Sequence, residues 1–176
     1  FELVGHISFP CLEQTIGEVI RRHEILRTHY QAKNDKPIQI IEPFKPILIT
    51  VVDLKSLPES IRSQVARQLI ETEVRQTFNL ETGPVLRLTC LLLEPHHWWL
   101  NIVFHHIAYD GWSHNLLLQE ITKCWKYWSQ GVPSQLDELE IQYVDFAYWQ
   151  RAWLAKNFMD EQIAYWRKQL ADAPST

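Results

Sequence analysis

Apolar positions along the chain follow two rhythms, short continuous runs and stripes that return every three or four residues. FELVGHISF, residues 1–9, is short and apolar-rich and predicts a strand. Pro10 then stands where a first helical turn tolerates it, and Leu12, Ile16, Val19 and Ile20 recur at helical spacing. ILRTHYQAKNDKPIQIIEP places two extended runs around the turn-like pair Asn34–Asp35 and predicts a hairpin. ILITVVDL, rich in β-branched residues, predicts another strand. From Pro58 the rhythm changes: Ile61, Val65, Leu69 and Val74 line one face of a helix expected to run to about Phe78, where NLETGP breaks it.

Two neighbouring antiparallel strands are expected next, PVLRLTCLLLE and WWLNIVFHH, joined at the Pro95-His96-His97 corner. The second is apolar for most of its length, as a central strand is. After the loop IAYDGW, the positions Leu117, Ile121, Cys124, Trp125 and Trp128 mark a long helix ended by Gly131 and Pro133. Two further helices are predicted near 143–155 and 158–171. No repeat, low-complexity tract or interdomain linker interrupts the series. The sum is a mixed α/β layer structure, strands covered by helices on at least one face.

The 176 residues, 46% hydrophobic, suffice for one core. A formal net charge of -4 and the lack of a dense Lys/Arg block give no reason to expect nucleic-acid binding. No stretch approaches the ~20 apolar residues of a membrane span. Cys11, Cys90 and Cys124 are widely separated, odd in number and set in apolar stretches, which predicts buried thiols in a reducing cytosol. The eight tryptophans are expected to serve as core and lobe-contact residues rather than as a binding stripe. Phe1 opens the chain without an initiator Met, inside a predicted strand, as a piece of a longer polypeptide would.

Chemistry concentrates at His105-His106-x-x-x-Asp110-Gly111. Two imidazoles close a strand, where adjacent side chains point to opposite faces, so that one packs inward while the other faces a cleft. Histidine titrates near neutrality and suits proton transfer. Asp110 stands four residues after His106, within reach of a turn that returns it to the ring or buries it in an ion pair. Gly111 permits backbone that a Cβ resists. The same spacing fits a satisfied polar corner, and spacing alone does not separate the two. Adjacent strand histidines diverge and lack a third ligand cluster, which argues against a metal. His96 and His97 read as an exposed hairpin corner.

FHHIAYDGWS resembles the central HHxxxDG motif of nonribosomal peptide synthetase condensation domains. RRHEILRTHY (Arg21 to Tyr30) resembles their RHExLRTxF motif, and IQYVDFAYWQ (Ile141 to Gln150) their YxDYAxWQ motif. TFNLETGPVLRLTCLLL and QIAYWRKQLADAP are also similar to the family's text, and the three motifs stand in family order. The resemblance covers the first half of such a domain: the Ser/Ala-Gln-Arg helix expected before residue 1 and the second lobe expected after Thr176 are absent. It implies a chloramphenicol acetyltransferase-like two-layer α/β sandwich with a mixed, mostly antiparallel sheet, residues 1–176 being the amino-terminal lobe of a two-lobed domain.

Carried onto this sequence, the resemblance makes His106 the residue that contacts the attacking amine, as general base or as positioner, with His105 its structural neighbour. Asp110 is expected to point away from substrate and pair with Arg27; Gly111 lets backbone approach the thioester; Trp112 and Ser113 line the tunnel mouth or serve helix packing and capping. Tyr143, Asp145 and Trp149 are read as structural. No cofactor is expected to bind directly, substrates arriving on the phosphopantetheine of upstream and downstream peptidyl carrier proteins, beside an adenylation domain, in the cytoplasm and without nucleic acid or membrane. An epimerisation domain, a stand-alone HxxxD acyltransferase and a non-catalytic carrier-docking module are the competing readings.

Overall fold

The computed structural model describes residues 1–34, 36–154 and 158–171. Its contacts divide the chain into two units, Phe1–Leu139 and Glu140–Thr176. In the first unit β1 (Glu2–Val4) leads into α1 (Phe9–Arg22), which starts where predicted: Pro10 occupies its first turn and the Ser8 side chain accepts the Cys11 N–H. A 3-10 turn over Glu24–Arg27 connects α1 to the hairpin of β2 (Thr28–Lys33) and β3 (Lys36–Ile41). Asn34 takes φ 52°, a left-handed conformation that asparagine tolerates, while Asp35, the other half of the predicted turn, lies outside the described residues. This pair forms a two-stranded sheet of its own.

The main sheet has the order β1-β6-β5-β4, with β4 (Thr50–Asp53), β5 (Leu86–Glu94) and β6 (His97–Phe104). All pairs are antiparallel except β4 with β5. Alternation along the central strands sorts their side chains between two cores. Leu86 and Cys90 on β5 and Leu100 on β6 face the apolar stripe of α1 (Leu12, Ile16, Val19, Ile20), joined there by Leu117 and Cys124 of α3 (Gly111–Trp128). Leu91 and Leu93 of β5 face the other way, against Ala66 and Val65 of α2 (Glu59–Arg75), with Leu54 and Trp99. The expected sandwich is therefore present, and its second face also carries a helix. All three cysteines are buried.

The second helix stops at Arg75, three residues short of the predicted Phe78. Arg87 on β5 draws the carbonyls of Glu73 and Gln76 (2.8 and 3.0 Å) and ion-pairs with the Glu73 carboxylate, satisfying the helix end from outside. Phe78 is thereby freed to lie under the Arg87 guanidinium, 3.8 Å from its carbon to the ring centre.

The second unit holds α4 (Tyr143–Leu154) and α5 (Phe158–Gln169), as periodicity predicts. Asp145 accepts the Gln142 N–H at 2.8 Å, closing the front of α4, so the structural reading of this motif residue has a local physical basis. The tryptophans divide. Trp98, Trp99, Trp125 and Trp128 pack on the cores, whereas Trp112, Trp149, Trp153 and Trp166 are exposed. Among the described residues no helix is long and apolar enough to cross a membrane.

Candidate functional site

The histidine pair stands where β6 ends. Phe104 is its last residue, and the chain then turns back so that Tyr109 stacks on the Phe104 ring, centroids 4.3 Å apart and planes 10° from parallel. His105 to Ala108 form the loop that this stack closes. Three ties lock His105: its N–H donates to the Val85 carbonyl (2.8 Å), its carbonyl accepts Ala108 N–H (3.0 Å), and Nδ1 accepts Ile107 N–H (3.0 Å). With Nδ1 an acceptor, the neutral ring carries its proton on Nε2. Its ring stands T-shaped to that of Phe78, centroids 5.7 Å apart. The inward, structural neighbour is thus His105.

His106 is the opposite. Its residue is exposed in the turn, and no hydrogen bond among the described residues engages its ring. An imidazole delivered by a locked loop and left with both nitrogens unengaged is available to an external donor or acceptor.

Asp110 begins the next helix. Its carboxylate accepts the Ser113 N–H at 2.9 Å and the Ser113 hydroxyl at 2.7 Å, an N-cap that satisfies the orphan amides of α3. These Ser113 bonds, with the Trp112 amide and the nearby His106, hold its carboxyl below the usual aspartate range. Tyr109 moves the other way: burial and the Asp110 charge raise its phenol, which stays protonated and hydrogen-bonds His114 Nδ1.

Two expectations are corrected here. Asp110 is exposed and makes no pair with Arg27. Arg27 sits in the 3-10 turn after α1, where its terminal nitrogens bond Glu24 three residues earlier (3.2 Å) and the Glu42 carbonyl. The local attraction of helix amides for Asp110 and of Glu24 for Arg27 keeps them apart. Gly111 needs no special backbone: it lies in ordinary helical conformation, and a Cβ there would meet nothing within 4 Å. Gly111→Ala is accordingly expected to leave thermal unfolding unchanged or raise stability by less than ~1 kcal/mol. A marked fall in the unfolding midpoint would mean that a neighbour crowds this position.

Trp112 follows, 92% exposed, and Ile107 and Leu116 are exposed as well. Ser113 serves the cap as hydroxyl and amide donor to Asp110 rather than as the cap itself. Periodicity and motif give no site role to Phe78, Arg87, Tyr109 or the buried pair Arg22 and Glu120. The last had a legible signal, because Glu120 falls at core-facing spacing between Leu117 and Cys124. Among the described residues no group of three or more His, Cys, Asp or Glu side chains could hold a metal ion.

A family model described as "Condensation domain" matches residues 1–176. The chain is 34% identical over 170 residues to chondramide synthase cmdD of Chondromyces crocatus, covering 97% of this chain and 4% of that protein. Phosphinothricin tripeptide synthetase PhsC of Streptomyces viridochromogenes is 35% identical over 168 residues, 96% of this chain and 16% of that one. The chain therefore spans a small share of the relatives it matches. Among solved structures, the X-domain from teicoplanin biosynthesis aligns with TM-score 0.84 at 24% identity, over 98% of this chain and 38% of that one. The starter condensation domain of rhizomide synthetase RzmA aligns with TM-score 0.83 at 20% identity, over 99% and 42%. These two structures establish the fold alone.

Proposed function

The chain belongs to the condensation-domain family, and on that premise we propose that residues 1–176 form the amino-terminal lobe of an amide-forming acyltransferase in a peptide synthetase. The reaction joins an acyl or peptidyl thioester on an upstream carrier to the amine of an aminoacyl thioester on a downstream carrier. A C–N bond forms, the C–S bond breaks, and one proton passes from the amine to the departing thiolate. The observation that carries the reading is the exposed, unengaged ring of His106, delivered by a loop whose other histidine is locked.

His106 contacts the attacking amine. An α-amine has a reference pKa of ~8, so part of it is neutral at cytosolic pH and full base catalysis is not obligatory. Accepting a hydrogen bond from the amine holds its lone pair toward the carbonyl carbon, and such positioning supplies much of the acceleration. The ionised Asp110 beside the ring favours positive charge as it develops there. Gly111, with open space over its Cα, leaves room for a thioester. The exposed apolar surface of Ile107, Trp112 and Leu116 suits cover by a second lobe, which completes a tunnel around His106. Substrates ride on carrier phosphopantetheine, and the lobe binds no cofactor of its own.

Reconstitution tests this. The complete domain, mixed with an acyl-loaded donor carrier and an aminoacyl-loaded acceptor carrier, is expected to leave an amide on the acceptor, detected by mass spectrometry of the carrier. Residues 1–176 alone are expected to give no turnover, since the facing wall is missing. Loss of a Cα deuteron from the aminoacyl carrier without amide formation would instead identify an epimerase. Transfer from coenzyme A donors would identify a stand-alone acyltransferase, and carrier binding without product a docking module.

A further inference from the structure

We propose that Glu120, through Arg22 and His23, is a positioning residue of the condensation site: the cluster sets the direction of α3 and so the place of its Asp110–Gly111 end beside the His106 loop. This rests on the proposed role of His106. Arg22 Nε and Nη2 reach Glu120 Oε2 and Oε1 at 3.3 and 3.4 Å, and His23 Nε2 approaches Oε2 at 2.8 Å. Arg22 Nη1 also donates to the Leu136 carbonyl (3.3 Å) and the Asp137 carbonyl. The Arg22 and Glu120 side chains are only 4% and 8% exposed. One buried carboxylate thus ties the end of α1, the middle of α3 and the segment after α3.

The leading turn of α3 has no buried ion pair among the described residues; it is tied by the hydrogen bond between the Tyr109 hydroxyl and His114 Nδ1, with Tyr109 stacked on Phe104. Gly111, Trp112, His114, Asn115 and Leu116 are exposed, and the buried residues of the helix are Leu117, Glu120 and Cys124. Asp110 and Gly111 therefore stand on an exposed turn whose direction follows from the three buried residues Leu117, Glu120 and Cys124, from the partly buried Ile121, Trp125 and Trp128 on the same core, and from the Tyr109–His114 bond. Leu117 and Cys124 supply apolar contact, which resists separation more than rotation or sliding. Glu120 alone of the three supplies charge-assisted, directional bonds. Gly111 and Glu120 are nine residues apart, about 14 Å along a helix. A tilt of about 10° pivoting at Glu120 carries the first turn by roughly 2 Å, and misplacement of even ~1 Å at a reacting centre costs on the order of a hundredfold. Buried ion pairs are often replaceable by apolar residues without loss of stability, so stability gives this cluster a weaker rationale than geometry does.

The test uses the complete synthetase with loaded donor and acceptor carriers. Glu120→Gln keeps the size of the side chain and removes its charge; His23→Gln removes one arm from a half-buried position and is the milder change. Each is assayed well below its own melting midpoint, with kcat counted per folded molecule and KM measured for the acceptor carrier. The expected result is a fall in kcat of about tenfold or more for Glu120→Gln and about threefold or more for His23→Gln, with KM within about twofold of the parent. Unchanged kcat per folded molecule, or a loss confined to KM, overturns the proposal. Should Glu120→Gln fail to fold, His23→Gln decides by the same criterion. His106→Ala is run in parallel: turnover at the parent rate by that variant removes His106 from the chemistry and the premise of this proposal with it, whereas a greatly impaired His106→Ala beside a fully active Glu120→Gln or His23→Gln sinks the positioning role alone.

Discussion

Replacing His106 with alanine in the complete domain is expected to abolish or greatly reduce amide formation while leaving the fold in place. The size of the loss follows from the role: a positioned proton acceptor contributes typically 10²–10⁴-fold. The integrity of the fold follows from its surroundings. His106 is exposed and tied by no hydrogen bond among the described residues, and exposed substitutions of this kind usually shift stability by no more than ~0.5 kcal/mol. Single-turnover formation of carrier-bound amide, read beside the thermal midpoint, checks both halves. His106→Gln separates base from positioner, because its amide accepts a hydrogen bond but takes up no proton. Residual turnover with Gln and none with Ala favours positioning. Turnover at the parent rate in His106→Ala removes the ring from the chemistry. His105→Ala differs in kind, since it unties Ile107 and removes the edge contact on Phe78, so that any lost activity comes with lost order in the loop.

Glu120→Ala is expected to lower the unfolding free energy by ~3–5 kcal/mol, because it leaves the Arg22 guanidinium buried without its carboxylate. Native domains are stable by only ~5–15 kcal/mol, so this variant loses a large share of its margin. Burial pushes the Glu120 carboxyl up, but the bonds from His23 and Arg22 outweigh it and hold the group at about 2, below its ordinary 4.5. A carboxyl depressed in the folded state stabilises fully above its unfolded value, and that stabilisation is lost as pH falls through the folded value. The interval from 4.5 to about 2 corresponds to roughly 3 kcal/mol, in line with the figure for breaking the pair. The gap between parent and variant should therefore be widest at neutral pH and narrow progressively as pH drops below about 4.5. Urea unfolding at a series of pH values measures it. A gap that stays constant, or grows, on acidification contradicts the pairing.

The elements were largely legible because each rests on local rules. Pro10 and the stripe of Leu12, Ile16, Val19 and Ile20 mark a helix whatever surrounds it, and the apolar run of β6 marks a strand enclosed by neighbours. The end of α2 was not legible, because the group that stops it, Arg87, comes from a strand 12 residues further on. The same holds within the site. His105, His106 and Asp110 announce themselves by spacing, yet spacing is silent on which carboxylate meets which cation. Asp110 took the nearer helix amides, and Arg27 took Glu24 and the Glu42 carbonyl.

Residue order was enough to place two histidines at a strand end ahead of a helix, and to mark the chain's family through three motifs. Those properties depend on periodicity and near neighbours, which one dimension records. The inward turn of His105, the freedom of His106, the cap on Asp110 and the joining of Arg22 to Glu120 across 98 residues belong to packing. Long-range pairs form only when separate elements close on one core, and burial then selects the charges that can remain together.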